Sequence, residues 1–262
     1  MEQENKYLEI RRGTIIKANE LIQKSRFSLS LQQQKVLLYL ISQITPYDEN
    51  FKLYKFSIEE FCRVYGIETN SGKNYSDLKA TIKEIADKSI WVKLDNGKET
   101  LVRWIERPYI DEGSGIIQIK LDEFMKPYLL QLKRNFTQYE LLWTLNFKSK
   151  YTIRLYELVK SIHFNELETY QKEFELDELK RMMGAERYKV YQDFKSRALV
   201  PAIEEINKCS DKVVSYDPIK KSRSVVKIRL TIDTKSPLDR IELQSKIESD
   251  LGLNQMTFWE DS

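Results

Sequence analysis

Histidine occurs once in this 262-residue chain, at His163, and cysteine twice, at Cys62 and Cys209. The cysteines are far apart with no CxxC spacing, which argues against a zinc site and fits a reducing compartment. One histidine cannot supply the pair with which metal-dependent nicking nucleases and relaxases hold their ion, despite fifteen tyrosines. No nucleophile elbow accompanies His163, so a hydrolytic triad is not indicated, and the residue is expected to end a helix. No apolar run approaches the roughly 18 residues of a membrane span. Met1 to Gly13 is polar and charged and lacks the apolar centre of a secretory signal. Gly66, five residues, then Gly72-Lys73-Asn74 imitates a phosphate loop, but the spacing is one residue too long. Asn74 also stands where a Ser or Thr would meet magnesium, so the stretch reads as a turn between helices. A cytoplasmic protein without catalytic residues, metal or cofactor is expected.

Charge is scarce in sum and uneven in distribution. The net value is +3, yet Ala185 to Ile232 carries eleven Lys/Arg against six Asp/Glu. Asp233 to Ser262 carries three against seven. A basic block followed by an acidic stretch fits one region facing phosphates, or a solvated surface that happens to be basic.

What is present is an internal repeat. Phe56-Ser57-Ile58-Glu59-Glu60-Phe61-Cys62-Arg63-Val64-Tyr65-Gly66 matches Phe174-Glu175-Leu176-Asp177-Glu178-Leu179-Lys180-Arg181-Met182-Met183-Gly184 in register. Ser57 can cap a helix with Glu59 and Glu60 in its first turn, and both glycines stand where a helix should stop. Tyr75 to Lys79 then matches Tyr191 to Lys195, opening two longer helices. Leu78, Ile82, Ile85 and Ser89 share one face, as do Val190, Phe194, Ala198, Ala202 and Ile206. Pro201 should kink or restart the second of these helices. Ile90 to Leu94, Asp95-Asn96-Gly97 and Thr100 to Ile105 read as a hairpin. Lys212 to Tyr216 and Ser224 to Ile232 read as another. Each copy has an earlier helix, Gln32 to Ile44 and Tyr151 to Phe164.

Helix, short helix, turn, longer helix and hairpin is the order of a winged helix. The fold class is therefore α+β, with two pseudo-symmetric winged-helix domains in tandem. Such a module lays its longer helix in the major groove and its wing in an adjacent groove. Polar residues cluster on those helices: Lys73, Asn74, Ser76, Lys79 and Lys83 in the first copy, and Lys189, Gln192, Lys195, Ser196 and Arg197 in the second. These side chains can read base edges or grip phosphate. Arg197 is the strongest candidate for a base contact, with a phosphate contact or an ion pair as the alternatives.

Tyr191, Phe194-Lys195, Arg197, Leu199, Pro201-Ala202-Ile203 and Glu205-Ile206-Asn207 resemble a signature of the iteron-binding plasmid replication initiators. Phe136-Thr137-Gln138-Tyr139, with Ser149, Tyr151 and Ile153 to Leu158, resembles their second signature. The resemblance runs from about Lys17 to Ile232. It implies two winged helices that bind direct repeats at an origin, help open it and recruit host helicase machinery. It also implies a monomer–dimer balance and repression of the protein's own promoter through an inverted repeat. It points to the helix from Val190 to Asn207 and to the wing tip Lys220, Lys221 and Arg223. Lys148, Ser149 and Lys150 open a helix where N–H groups and lysines favour phosphate. The alternative function is a transcription repressor with no initiation role.

The expected organisation is a flexible arm over 1–13, a first winged helix over 14–134, a second over 135–235 and an acidic tail over 236–262. In that tail Gln255, Met256, Phe258 and Trp259 resemble a short peptide that docks on the polymerase sliding clamp; packing on the protein's own surface is the alternative.

Overall fold

The computed structural model describes residues 2–25, 28–45, 47–67, 72–93, 98–111 and 113–253. The first copy comprises α1 (Glu2–Arg11), β1 (Thr14–Ala18), α2 (Asn19–Gln23), α3 (Leu31–Ile41), β2 (Tyr54–Ser57), α4 (Ile58–Val64) and α5 (Gly72–Asp87). It continues with β3 (Ser89–Lys93), β4 (Glu99–Arg103), β5 (Tyr109–Asp111), β6 (Ile116–Ile119), a 3-10 turn (Glu123–Met125) and α6 (Lys126–Leu129). The chain goes on with β7 (Phe136–Glu140), α7 (Leu142–Leu145), α8 (Lys150–Ile162), β8 (Tyr170–Glu175) and α9 (Leu176–Met183). Then come α10 (Tyr191–Phe194), a π-helical turn (Lys195–Leu199), α11 (Val200–Cys209), β9 (Lys212–Lys221), β10 (Ser224–Thr234) and α12 (Pro237–Leu253). Among the described residues no helix is long and apolar enough to cross a membrane.

The repeat is reproduced in backbone detail. β2 runs into α4 as β8 runs into α9, and Ser57 Oγ accepts the Glu60 N–H at 3.0 Å. The helices end on Gly66 and Gly184 at φ 65° and 66°, a left-handed turn that other residues adopt only with strain. Buried Leu78, Ile82 and Ile85 seat α5; Phe194, Ala198, Ala202 and Ile206 seat the longer helix of the second copy. Val190, expected on that inner face, is instead exposed, because it precedes the first helical turn.

The sheets differ between the copies. In the second, β8, β10 and β9 form one antiparallel sheet whose far end is the wing. In the first, β3 and β4 make a separate hairpin, and the partner of β2 is β6, which also pairs with β5. Alternation in the sequence does not reveal β5 and β6, which are only three and four residues long.

Among the described residues, both terminal segments contain a helix. The segment read as a flexible arm contains α1, docked on α4, where buried Arg11 donates to the terminal carbonyls of Arg63 (2.6 Å) and Val64 (2.9 Å). The segment read as an acidic tail contains α12. It starts with Ser236 accepting the Asp239 N–H at 3.2 Å and buries Ile247 and Leu251. Leu251 lies against Gly66 of the first copy, where a Cβ would come within 2.8 Å of its methyl group. Arg12 grips Glu248 at 3.0 Å.

The expected boundary is bridged elsewhere too. β1 pairs antiparallel with β7, from Thr14 opposite Glu140 to Ala18 opposite Phe136, so one small sheet spans the boundary expected between residues 134 and 135. Beneath it, buried Lys17 donates to Glu157 at 2.6 Å, and the Tyr139 hydroxyl donates to the same carboxylate oxygen at 2.6 Å. Arg154 donates to Ile22 O and Met182 O. The motif Phe136 to Tyr139 with Ile153 to Leu158 is therefore the packing of this junction.

Candidate nucleic-acid interface

The helix over residues 191–209 is the centre of the site. Phe194, Lys195, Leu199 and Val200 all keep helical dihedrals, so the chain stays helical here, and the α-helix restarts at Val200 with Pro201 in its first turn. A proline has no N–H to give to the carbonyl four residues back; the π turn preceding it absorbs that loss by widening the helix by one residue. Gln192, Ser196 and Arg197 are exposed on the outer face, with Lys189 exposed just before it and Lys195 half-buried at its edge. Ser196 Oγ donates to Gln192 O at 2.9 Å, which occupies its proton and leaves lone pairs outward. Arg197 is 68% exposed and makes one long contact, 3.9 Å, with Asp193. An exposed i,i+4 pair of this kind is weak, so the guanidinium can exchange it for a base edge or a phosphate.

The wing stands beside this helix. Lys220, Lys221 and Arg223 are exposed at the tip, which turns at Ser222 with φ 58°. The base of the wing is locked. Asn207 and Val214 exchange two hydrogen bonds, at 2.9 and 2.6 Å, which pin β9 to α11. Lys212, fully buried, donates to Thr234 Oγ1 (2.7 Å), to Glu166 Oε1 (2.9 Å) and to His163 Nδ1 (3.2 Å). His163 caps the end of α8 and gives its Nε2 proton to Glu168 O at 2.8 Å. Lys160 bridges Glu166 and Asp211 at 2.8 and 3.0 Å. Burial alone would raise the Glu166 carboxyl, but hydrogen bonds from Lys160 and Lys212 bring it down to about 2. The single histidine thus serves the wing's foundation.

In the first copy Lys73, Ser76, Lys79 and Lys83 are exposed along α5. Asn74 is a correction: it is buried, because it lies one turn before Leu78 on the inward face, and it cannot reach DNA in this arrangement. Lys83 pairs with Asp87 at 3.1 Å. A groove of about 650 Å³, lined by Tyr75, Ala86, Pro108 and Ile110 with Lys79 and Lys83 at its rim, flanks this face.

Lys148 is exposed at the start of α8, and Ser149 and Lys150 are half-buried. Two N–H groups there already have partners: that of Lys148 gives to Glu205 at 2.7 Å, and that of Tyr151 to Ser149 Oγ at 3.2 Å. Any phosphate binding here relies on the lysine side chains more than on the helix end. Two further cations belong to this surface: Arg187, exposed two residues before Lys189, and Lys88, just past α5. Being in the turns outside the helices, neither falls in a periodic pattern that sequence alone would single out. Gln255, Met256, Phe258 and Trp259 lie outside the described residues.

Residues 14–160 match the family described as Initiator Replication protein, WH1, and residues 175–232 match Initiator Rep protein, WH2. The chain belongs to the initiator replication protein family. Among solved structures, this initiator resembles the Pi initiator protein in its complex with iteron DNA, at a TM-score of 0.70 and 19% identity. That match covers 86% of this chain and 99% of the other. A looser likeness, TM-score 0.43 and 15% identity over 79% and 81% of the two chains, is to domains 2 and 3 of RctB. The Pi likeness agrees with the fold of two tandem winged helices, and the family matches agree with a replication initiator.

Proposed function

We propose that this initiator binds repeated double-stranded sites, iterons, at a replication origin, with the helix over 191–209 in the major groove and the wing on neighbouring phosphates. The observation that carries this reading is the bare outer face of that helix, where Lys189, Gln192, Ser196 and Arg197 stand exposed beside the cationic wing tip. The Pi initiator, similar in fold, is described with iteron DNA. Opening of the duplex draws on binding energy and DNA bending. A plasmid carrying the cognate origin tests initiation: the protein supplied in trans supports its replication. Specific repression of the protein's own promoter without any support of replication would favour the pure repressor instead.

The first copy supports self-association. Trp91 and Leu101 face each other across β3 and β4 and are 61% and 54% exposed. A second copy covering them accounts for an apolar pair held in water. Trp91→Lys should then shift sedimentation towards monomer; an unchanged profile removes this face from consideration. Recruitment of host helicase and clamp belongs to the same reading, and deletion of residues 255–262 should weaken clamp pull-down without altering origin binding.

A further inference from the structure

A row of cations runs from the reading helix to the first domain. Arg187 sets its guanidinium 4.8 Å from the Tyr188 ring centroid and 5.8 Å from that of Tyr151, and donates to the Tyr188 hydroxyl at 2.6 Å. Lys150 places its ammonium 5.3 Å from the same Tyr151 ring. Lys150 also lines a narrow crevice with Ser28, Leu29 and Gln34 of the first domain, and its carbonyl accepts from Gln34 at 3.4 Å. Lys88 donates to the Ser28 carbonyl at 3.0 Å and to Gln33 Oε1 at 2.7 Å. Arg187, Lys150 and Lys88 are thus linked through shared neighbours.

The charges feel one another. Burial first, then the cations of Arg187 and Lys88, lower the Lys150 ammonium, with Glu186 opposing. Burial would raise the Tyr188 phenol, yet Arg187 and, at the far end of the row, Arg197 help draw it below its ordinary value. Among the described residues no carboxylate forms an ion pair with Lys88, Lys148, Lys150 or Arg187. Cations gathered without a direct ion pair repel, and an anion placed among them relieves the repulsion.

We propose that Arg187, Lys150 and Lys88 form a phosphate seat across the domain junction, occupied by the backbone of the duplex whose bases face Arg197. The proposal rests on the DNA-binding reading above and adds the residues and the consequence: one strand of phosphates touches both domains, so their mutual orientation contributes to affinity. Arg187 grips by its fork, while Tyr151 and Tyr188 hold the cations in place without neutralising them.

The test is fluorescence anisotropy of the full chain with a duplex carrying its own origin repeat and with a random duplex, from about 50 to about 200 mM salt. Arg187→Ala and Lys88→Gln should weaken both duplexes by the same factor. Each should also make the plot of log affinity against log salt shallower by about 0.9, the slope of one phosphate no longer neutralised. Arg187→Lys, which keeps the charge, should retain the wild-type slope. A scan of neutral methylphosphonate linkages should find one at which wild type and Arg187→Ala bind alike. Unchanged slopes for Arg187→Ala and Lys88→Gln, with Lys220→Ala flattened, would overturn the seat and leave DNA binding standing. Competition by inorganic phosphate with no position-specific effect in the scan would overturn the duplex as occupant. Equal binding of repeat and random duplex by the wild type would instead sink the underlying reading.

Discussion

Replacing Glu157 by Gln tests whether the junction of β1, β7 and α8 is held by charge. Its side chain is 2% exposed and that of Lys17 is 10% exposed, and they meet at 2.6 Å. The carboxylate also accepts the Tyr139 hydroxyl at 2.6 Å. Burial pushes its carboxyl up, but Lys17 and Arg154 hold it below the usual range, so it is charged at neutral pH. Gln still accepts from Tyr139 but leaves the Lys17 ammonium buried and unpaired, which costs about 3–5 kcal/mol. A typical domain has only about 5–15 kcal/mol to lose, so the variant should unfold at much lower urea. Lys17→Met in the same chain removes the stranded charge, and the double variant should recover most of the loss. Urea unfolding followed by circular dichroism measures all three variants. A single Glu157→Gln cost below about 1 kcal/mol, or double-variant losses that simply add, would refute the account.

Arg197→Ala should cost about 1–3 kcal/mol on the specific repeat and less on random DNA if it reads a base; equal loss on both makes it a phosphate contact. Lys220→Ala should weaken all duplexes alike and flatten the salt dependence in the same titration. The depressed Glu166 carboxyl contributes stability that is present above its unfolded value near 4.5 and lost as pH falls towards about 2. An acid titration of Glu166→Gln should lack that portion of the loss; an identical acid transition would contradict it. Burial raises the Cys62 thiol to about 11 and also raises Cys209. Aromatic disulfide reagents should therefore label the folded chain slowly and both thiols promptly in guanidinium; fast labelling of folded protein would count against this packing.

The tandem winged helices are legible in the sequence because their signals are local. Ser57, Gly66 and Gly184 mark helix ends by themselves, and the four-residue spacing of Phe194, Ala198, Ala202 and Ile206 marks a buried face. The start of α12 is equally open to reading: Ser236, Pro237 and Asp239 form a capping pattern with proline at the first helical position. Its acidic surroundings carry the opposite signal, that of a solvated tail. Polarity suggests an outward face for Asn74, while its register with Leu78 turns it inward. The junction is beyond sequence reasoning, since Lys17 and Glu157 are 140 positions apart.

The fastenings between the copies set a gap. The landing of Leu251 on Gly66 and the grip of Arg12 on Glu248 act together like the clamped jaws of a caliper. B-form DNA turns once in about 10.5 base pairs. On the proposed reading both copies touch one duplex, so jaws fixed in this way tolerate little change in spacing, and an insertion of about five base pairs within the repeat should carry part of it to the far side of the duplex.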